Sequence, residues 1–194
     1  MGLDTGTTLK NLCGLLHTKF ENPKEVCMIE LGNQHIGGAF RDTSKNYFSS
    51  IVKKHISIDL NGEDGALALD LNSEIKGVEQ GDIVTNYGTS EHVSDQYECF
   101  KNMHNLCKTG GIIINFVPPA GYWPGHCPYY YNLEYFKVLG EKNCYKIIEN
   151  KIFTEPPYTG ALTMISCVFQ KIDDSVFINK SEFDKEISPL LVMG

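Results

Sequence analysis

Between Met28 and His126 five short apolar runs follow one another, and each meets acidic, polar or glycine residues at its end. Residues 26–31 run into Glu30-Leu31-Gly32-Asn33-Gln34, residues 55–60 end around Asp59, and a third run ends on Asp70. Residues 82–86 lead into Tyr87-Gly88, and a fifth run follows Gly110-Gly111. Strands with apolar side chains on both faces mark the interior of a parallel sheet. In open parallel sheets, ligands sit beyond the carboxyl ends of the strands, near the point where strand order reverses. The pattern predicts one α/β sheet with one ligand crevice.

The chain has 194 residues, 42% of them hydrophobic, which suits one core and is short for two. We therefore read residues 1–194 as a single domain: an N-terminal helix or lid over 1–22, a core over 26–171 and a tail over 173–194. The formal net charge of −7 argues against a nucleic-acid partner, which would need clustered Lys and Arg. The longest apolar run, residues 111–117, is far shorter than the roughly 20 residues that span a bilayer, so no membrane partner is expected. The seven cysteines show no paired spacing, and no basic segment leads into an apolar stretch at residues 1–10. Reduced, buried thiols in a cytoplasmic protein are the expectation. Cys99, His104 and Cys107 face one way on an expected helix, but no second close-spaced ligand pair stands elsewhere. Core packing accounts for them, and no metal is assigned.

Helical spacing of Leu9, Leu12, Cys13, Leu16 and Phe20 predicts an amphipathic helix over residues 7–20. A helix is expected from about 39 to 53 after Gly37-Gly38, and another beginning near Glu91-His92-Val93 and capped by Gly110. Residues 66–71 form a strand candidate, but the turn Asn61–Gly65 is too short for an ordinary helical crossover. Both a parallel and an antiparallel placement stay open. Residues 129–139 are expected to be helical, and 144–153 with 162–171 to form an antiparallel strand pair.

Asp82-Ile83-Val84-Thr85-Asn86, Glu91-His92-Val93 and Leu106-Cys107-Lys108-Thr109-Gly110-Gly111-Ile112-Ile113 follow in order. Taken with the strand ends, they resemble a class I S-adenosylmethionine-dependent methyltransferase of the small-molecule kind, over roughly residues 26–171. The resemblance implies a Rossmann-like three-layer sandwich, with a mostly parallel seven-stranded sheet and an antiparallel terminal strand. It implies S-adenosyl-L-methionine as cofactor and methyl transfer to an oxygen or nitrogen of a small-molecule acceptor. The first loop departs from the family's glycine pattern: Glu30 and Gly32 match, while Gln34 and Ile36 fill the later glycine positions.

Carried onto this chain, the resemblance implies that Glu30, Gly32 and Gln34 meet the methionine portion. Asp59 would accept the ribose hydroxyls, Leu60 and Leu71 flank the adenine, and Asp70 meets its amine. Asn86, Tyr87 and Gly88 would lie near the transferred methyl. An acceptor that must lose a proton calls for a group that titrates near neutrality, and His92 and His126 stand at suitable places. Tyr122, Trp123 and Tyr129 make the segment around His126 aromatic, as an acceptor pocket requires. The plain alternatives are turn capping for the acids, helix capping for His92 and sheet-edge cover for the aromatics. Two rival functions stand beside this one: a methyltransferase-like binding module without catalysis, and a nicotinamide-dependent oxidoreductase. The latter lacks the G-x-G-x-x-G spacing.

Overall fold

In the computed structural model, which describes residues 6–36, 42–154 and 162–194, the apolar runs assemble into one seven-stranded sheet. Its strands are β1 (Cys27–Leu31), β2 (Lys54–Asp59), β3 (Leu67–Ala68), β4 (Gly81–Tyr87), β5 (Cys107–Val117), β6 (Lys146–Thr154) and β7 (Thr163–Gln170). They lie in the order β3-β2-β1-β4-β5-β7-β6. β1 pairs parallel with β2 and β4, β2 with β3, and β4 with β5. β7 runs antiparallel to both β5 and β6. The expected α/β sandwich, with its mostly parallel sheet and antiparallel terminal strand, is the observed architecture.

Side chains alternate across each strand, so each strand feeds two apolar layers. Met28, Ile83, Tyr87, Ile112, Ile114 and Phe116 point to one face, where they pack with Leu12, Leu16 and Phe48. Those last three belong to α1 (Gly6–Lys19) and α2 (Ser44–Ser49). Ile29, Leu31, Val84, Ile113 and Val117 point to the other face. There they meet α3 (Gln96–Leu106), α4 (Leu133–Lys142) and α5 (Lys180–Glu186) through Phe100, Met103, Phe136 and Phe183. The tail thus carries a docked helix, whose Phe183 is fully buried. All seven cysteines are free. No helix among the described residues is long and apolar enough to cross a membrane.

Several local expectations need correction. The third strand spans Leu67–Ala68 rather than 66–71, and its direction, left open by the sequence, is parallel, pairing Ile58 with Leu67 and Asp59 with Ala68. It engages only the last two residues of β2, so the chain steps back a short way and a one-turn 3-10 helix, Glu63–Gly65, suffices as the connection. Of the helix expected over 39–53, the described residues 42–53 carry α2, which starts at Ser44 because the Thr43 side chain accepts from Asn46 N. Gly37, Gly38, Ala39, Phe40 and Arg41 lie outside the described residues.

Glu91 does not open α3. Residues Ser90–His92 form a separate 3-10 turn, and α3 begins after Asp95, whose side chain accepts from Glu98 N. Gly110 is not its cap: α3 ends at Leu106, and Gly110 lies within β5, donating its N–H to Lys171 O at 2.6 Å. Residues 129–139 are not one helix, because Tyr129–Tyr130 pairs as a short strand with Val192–Met193. Asn132 then caps α4 by accepting from Tyr135 N.

The helix read as a lid packs as an integral layer, with Leu12 and Leu16 both 0% exposed. Leu16→Ala is expected to lower unfolding free energy by about 2–5 kcal/mol in urea denaturation, as removal of a fully buried leucine does. A loss below about 1 kcal/mol would mean that α1 is a detachable cover.

Candidate functional site

Strand order reverses between β1 and β4, and a cavity of about 600 Å³ opens at that point. It is walled by Gly32, Asn33, Gln34 and His35 after β1, and by Ile58, Asp59 and Leu60 at the end of β2. Leu69, Asp70, Leu71 and Asn72 after β3, with Gly88, Thr89, His92 and Val93 after β4, complete it. Its size falls within the range of about 300–1,000 Å³ that small-molecule sites occupy.

Gly32 begins the first wall in a left-handed conformation, φ +78°. A Cβ there would stand 2.5 Å from Thr89 Oγ1 and 2.7 Å from Gln34 Nε2, so no other residue fits without displacement. Those two side chains bond to each other at 3.1 Å. Both also donate to Leu31 O, Thr89 Oγ1 at 2.8 Å and Gln34 Nε2 at 3.3 Å. The close backbone approach that Gly32 permits is therefore used by the protein itself, which knots the loop after β1 to the loop after β4. Gln34, in the place of a family glycine, is part of that knot.

Asp59 is half-buried, and each carboxylate oxygen accepts one backbone N–H: Asn33 at 2.8 Å and Asn61 at 3.1 Å. This holds the two walls together and leaves one lone pair on each oxygen for a diol. Leu60 beside it is 73% exposed, a large apolar side chain at the rim of a polar cleft. Leu71 lies behind, 7% exposed, shared between the cavity wall and the core. Asp70 is exposed, and its Oδ1 accepts from Asn72 N and Nδ2. The Asn72 backbone N–H, followed by the Asn72 side chain, holds the Asp70 carboxyl below the usual range.

Glu30 is fully buried on the α2 face of β1 and does not line the cavity. It accepts from Ser44 Oγ, Ser57 Oγ at 3.3 Å and Gln34 N at 3.3 Å. Burial pushes its carboxyl up to about 8 despite those donors. His55 Nε2 lies 3.8 Å away, and burial pushes that imidazole down to about 4.

Adjacent strand residues cannot share a face, and Asn86 and Tyr87 divide accordingly. Tyr87 turns toward α1 into the core, away from the cavity, and burial raises its phenol well above the usual range. Asn86 turns toward α3. Its Oδ1 accepts from Ser90 N at 3.0 Å, and its Nδ2 donates to Ser90 Oγ at 2.8 Å and Asn115 Oδ1 at 3.0 Å. Tyr131 Oη donates to Gln96 Oε1 and accepts from Ser90 Oγ, both at 2.8 Å, and Gln96 Nε2 donates to Ser90 O and Val93 O, both at 2.7 Å. These bonds fix the turn after β4, and Gly88 N is tied to Phe116 O of β5 at 2.9 Å.

His92 leaves that turn for the cavity. His126, from the loop after β5, stacks edge-on against it with ring centroids 5.3 Å apart. Burial, then the neighbouring His126, lowers the His92 imidazole. The two histidines singled out in the sequence are thus brought together, one on the cavity wall and one beyond it. Tyr122, Trp123 and Tyr129 are not on the cavity wall. Tyr122 is 59% exposed, Trp123 Nε1 donates to Thr163 O at 2.8 Å, and Tyr129 Oη donates to Ser94 O at 3.1 Å beside a separate surface groove. Trp123 still flanks the pair, its ring centroid 5.8 Å from that of His126.

No family model matches the sequence, and comparison with curated proteins gives no match. Solved structures do match. The 1,6-didemethyltoxoflavin-N1-methyltransferase of Burkholderia thailandensis, with its substrate and S-adenosylhomocysteine bound, is 14% identical. The match covers 85% of this chain and 78% of that one, with a TM-score of 0.61. The N-methyltransferase NodS of Bradyrhizobium japonicum, in complex with S-adenosylhomocysteine, is 14% identical over 88% of this chain and 90% of its own, with a TM-score of 0.60. The CurJ carbon methyltransferase is 13% identical over 86% of this chain and 54% of its own, with a TM-score of 0.55. This chain has the class I methyltransferase fold.

Within that methyltransferase fold, the sequence reading missed Asn33, Thr89, Asn72 and Glu91. Asn33 Oδ1 is buried without a partner beside Asp59. Thr89 follows the fourth strand as plainly as Gly88, and its role emerges only from the approach of the loop after β1. Glu91 is 0% exposed, with neither carboxylate oxygen partnered, and burial pushes it up to about 7. A charged residue in a sequence reads as solvated, so nothing in the chain announced its burial.

The buried Glu30–His55 pair sets a pH signature. Glu30 stabilises the fold fully below its ordinary 4.5, and that contribution is lost as pH rises toward about 8. His55 works oppositely between about 4 and its ordinary 6.5. The two slopes offset each other below pH 6.5. Above it, unfolding free energy is expected to fall by up to about 1.4 kcal/mol per pH unit until about pH 8. Urea titrations across pH 6–9 check this, and Glu30→Gln should remove the slope above pH 7, buried Glu91 accounting for what is left below it. A wild-type curve flat across that interval would refute the assignment.

Proposed function

We propose that this protein is an S-adenosylmethionine-dependent methyltransferase acting on an oxygen or nitrogen of a small-molecule acceptor. The observation that carries the reading is the cavity at the strand-order switch, bounded by Gly32, Asp59, Leu60 and Gly88. The neighbours crystallised with S-adenosylhomocysteine support it through the shared fold.

The residues suit the cofactor in a defined way. Asp59 has free lone pairs for the ribose hydroxyls, since its backbone partners use one direction on each oxygen. Leu60 offers an exposed apolar surface that an adenine face would cover. Leu71 and Asp70 complete that end, and Asn72 N and Nδ2 keep the Asp70 carboxylate ionised and oriented. Gly32, Gln34, Gly88 and Thr89 border the end that would take the amino acid. Glu30 acts from beneath, orienting Gln34 N and α2 through Ser44. Asn86 and Tyr87 support the wall from inside the two cores.

When bound, the cofactor supplies an electrophilic sulfonium methyl. The protein's part is chiefly alignment, because holding nucleophile and methyl in line supplies much of the acceleration. His92 and His126 would receive the proton of the acceptor's hydroxyl or ammonium group. Trp123, beside His126, would border the acceptor, whereas Tyr122 and Tyr129 stand away from it. Seven free thiols suit a reducing, cytoplasmic setting.

One observation favours the binding module without catalysis: Thr89 and Gln34 occupy the space over Gly32. The two readings part on cofactor binding. Calorimetric titration with S-adenosylhomocysteine is expected to show one saturable site. Asp59→Ala should weaken it by roughly 10-fold or more, since a hydrogen bond to a charged group is worth about 1.5–3 kcal/mol. Saturable binding that Asp59→Ala leaves intact would move the site elsewhere. Absence of heat and of any melting shift in the wild type would overturn the methyltransferase reading.

A further inference from the structure

Glu91, His92 and His126 each offer a ligand atom, and these atoms all lie within 4.8 Å of one another. Among the described residues this is the group of His, Cys, Asp and Glu near enough to share an ion. Cys99, His104 and Cys107 are committed elsewhere. Cys99 is fully buried, His104 uses both ring nitrogens on Tyr145 Oη and Ser175 O, and Cys107 faces Lys108 O.

Three features distinguish the group from a chance cluster. Glu91 is 0% exposed and neither oxygen has a partner, although Ser90 beside it is saturated with hydrogen bonds. A buried carboxylate left uncompensated is costly unless it is paired or coordinates a metal. The mounting is rigid: Asn86, Gln96 and Tyr131 hold the Ser90–His92 turn, while Tyr130 Oη accepts from His126 N at 2.9 Å. Finally, the two imidazoles are solvent-facing, whereas the Glu91 carboxylate is buried. Ligands at about 2.0–2.2 Å from one ion stand roughly 3–3.5 Å apart, so side-chain shifts of about 1 Å would close the site.

We propose that Glu91, His92 and His126 form a site for a first-row divalent cation at the acceptor end of the cavity. Two imidazoles and one carboxylate are an N2O donor set, which suits zinc, manganese, iron(II) or cobalt better than magnesium or calcium. Three protein ligands leave coordination positions open. Because His92 also lines the cavity, an open position is available to a ligand within it.

This adds a substrate class to the proposed methyl transfer and, in that part, rests on it. The acceptor would present a hydroxyl oxygen to the cation. Coordination lowers the hydroxyl's pKa, and its proton passes to solvent. With the ion in place the two imidazoles act as ligands, and acidification by the ion replaces a protein base.

Cobalt(II) titration of the full-length, metal-stripped protein is the test, read by visible absorption, with manganese titration calorimetry beside it. One equivalent is expected to produce d–d bands without thiolate-to-cobalt charge transfer, the mark that none of the seven cysteines is a ligand. His126→Ala, on an exposed loop, should weaken binding by at least about tenfold. Glu91→Gln, nearly isosteric in its buried position, should do the same while circular dichroism stays unchanged. No binding, charge-transfer bands, or wild-type affinity kept by both variants, which would mean an adventitious ion only, would overturn the site. S-adenosylhomocysteine titration separates the two claims. Cofactor binding without cobalt binding overturns the cation site alone, and cobalt binding without cofactor binding supports the site while removing the methyl-transfer role.

Discussion

Asn86 uses both ends of its amide to hold the turn that follows β4, and much of the site depends on that hold. Its carbonyl oxygen receives Ser90 N, and its nitrogen reaches Ser90 Oγ and, across to β5, Asn115. Tyr131 and Gln96 close the network from α4's leading segment and from α3. A buried polar network with its members paired fixes one geometry, because each alternative leaves a desolvated group unpaired. Here that geometry forces Glu91 inward and His92 outward. The same turn presents Thr89 to Gly32, so the loops after β1 and β4 meet over a glycine with no room for a side chain.

That meeting divides the cavity. At the Gly32 end, space that a glycine-rich loop would leave open is taken by Thr89 and Gln34, both bonded to Leu31 O. At the Asp59 end the wall is open: a half-buried carboxylate, an exposed Leu60 and an Asp70 held by its own turn. A ligand with a flat apolar ring and a vicinal diol finds more unmet surface at the second end than at the first. Specificity for a nucleoside would therefore come from β2 and β3, and accommodation of a charged chain from displacement of Gln34.

The sheet was legible because burial on both faces leaves a strong mark. Residues 112–117 are apolar at nearly every position, and β5 occupies them. The short third strand was ambiguous for a physical reason: two residues of parallel pairing need no helix, so the usual length rule does not apply. Helix starts were displaced where a side chain outranked the apolar pattern. Asp95 followed by Glu98 is a capping arrangement visible in the chain, yet the attractive Glu91-His92-Val93 drew the boundary four residues early. Individual roles were harder. Glu30 and Asp59 sit at neighbouring strand ends in the sequence pattern, but Glu30 pairs with Ser57 inside the sheet and is buried, while Asp59, two residues further along β2, reaches the cavity. Glu91 beside His126 was invisible, since only the adjacency of β4 and β5 brings their following loops together.

The arrangement separates holding from chemistry. The cavity's walls are mostly backbone and uncharged side chains from the ends of β1, β2 and β3, knotted by Gly32, Asn33 and Asp59. The three groups close enough to share a cation come from the loops after β4 and β5, and of these only His92 also lines the cavity. The Asn86 network stands between the two, with no residue at the Asp59 end. Changes to the acceptor chemistry can thus arise in the His126 loop without disturbing the strand ends that would bind a nucleoside. A fold that hosts nitrogen and carbon methyltransferases among its neighbours is built to allow such independence.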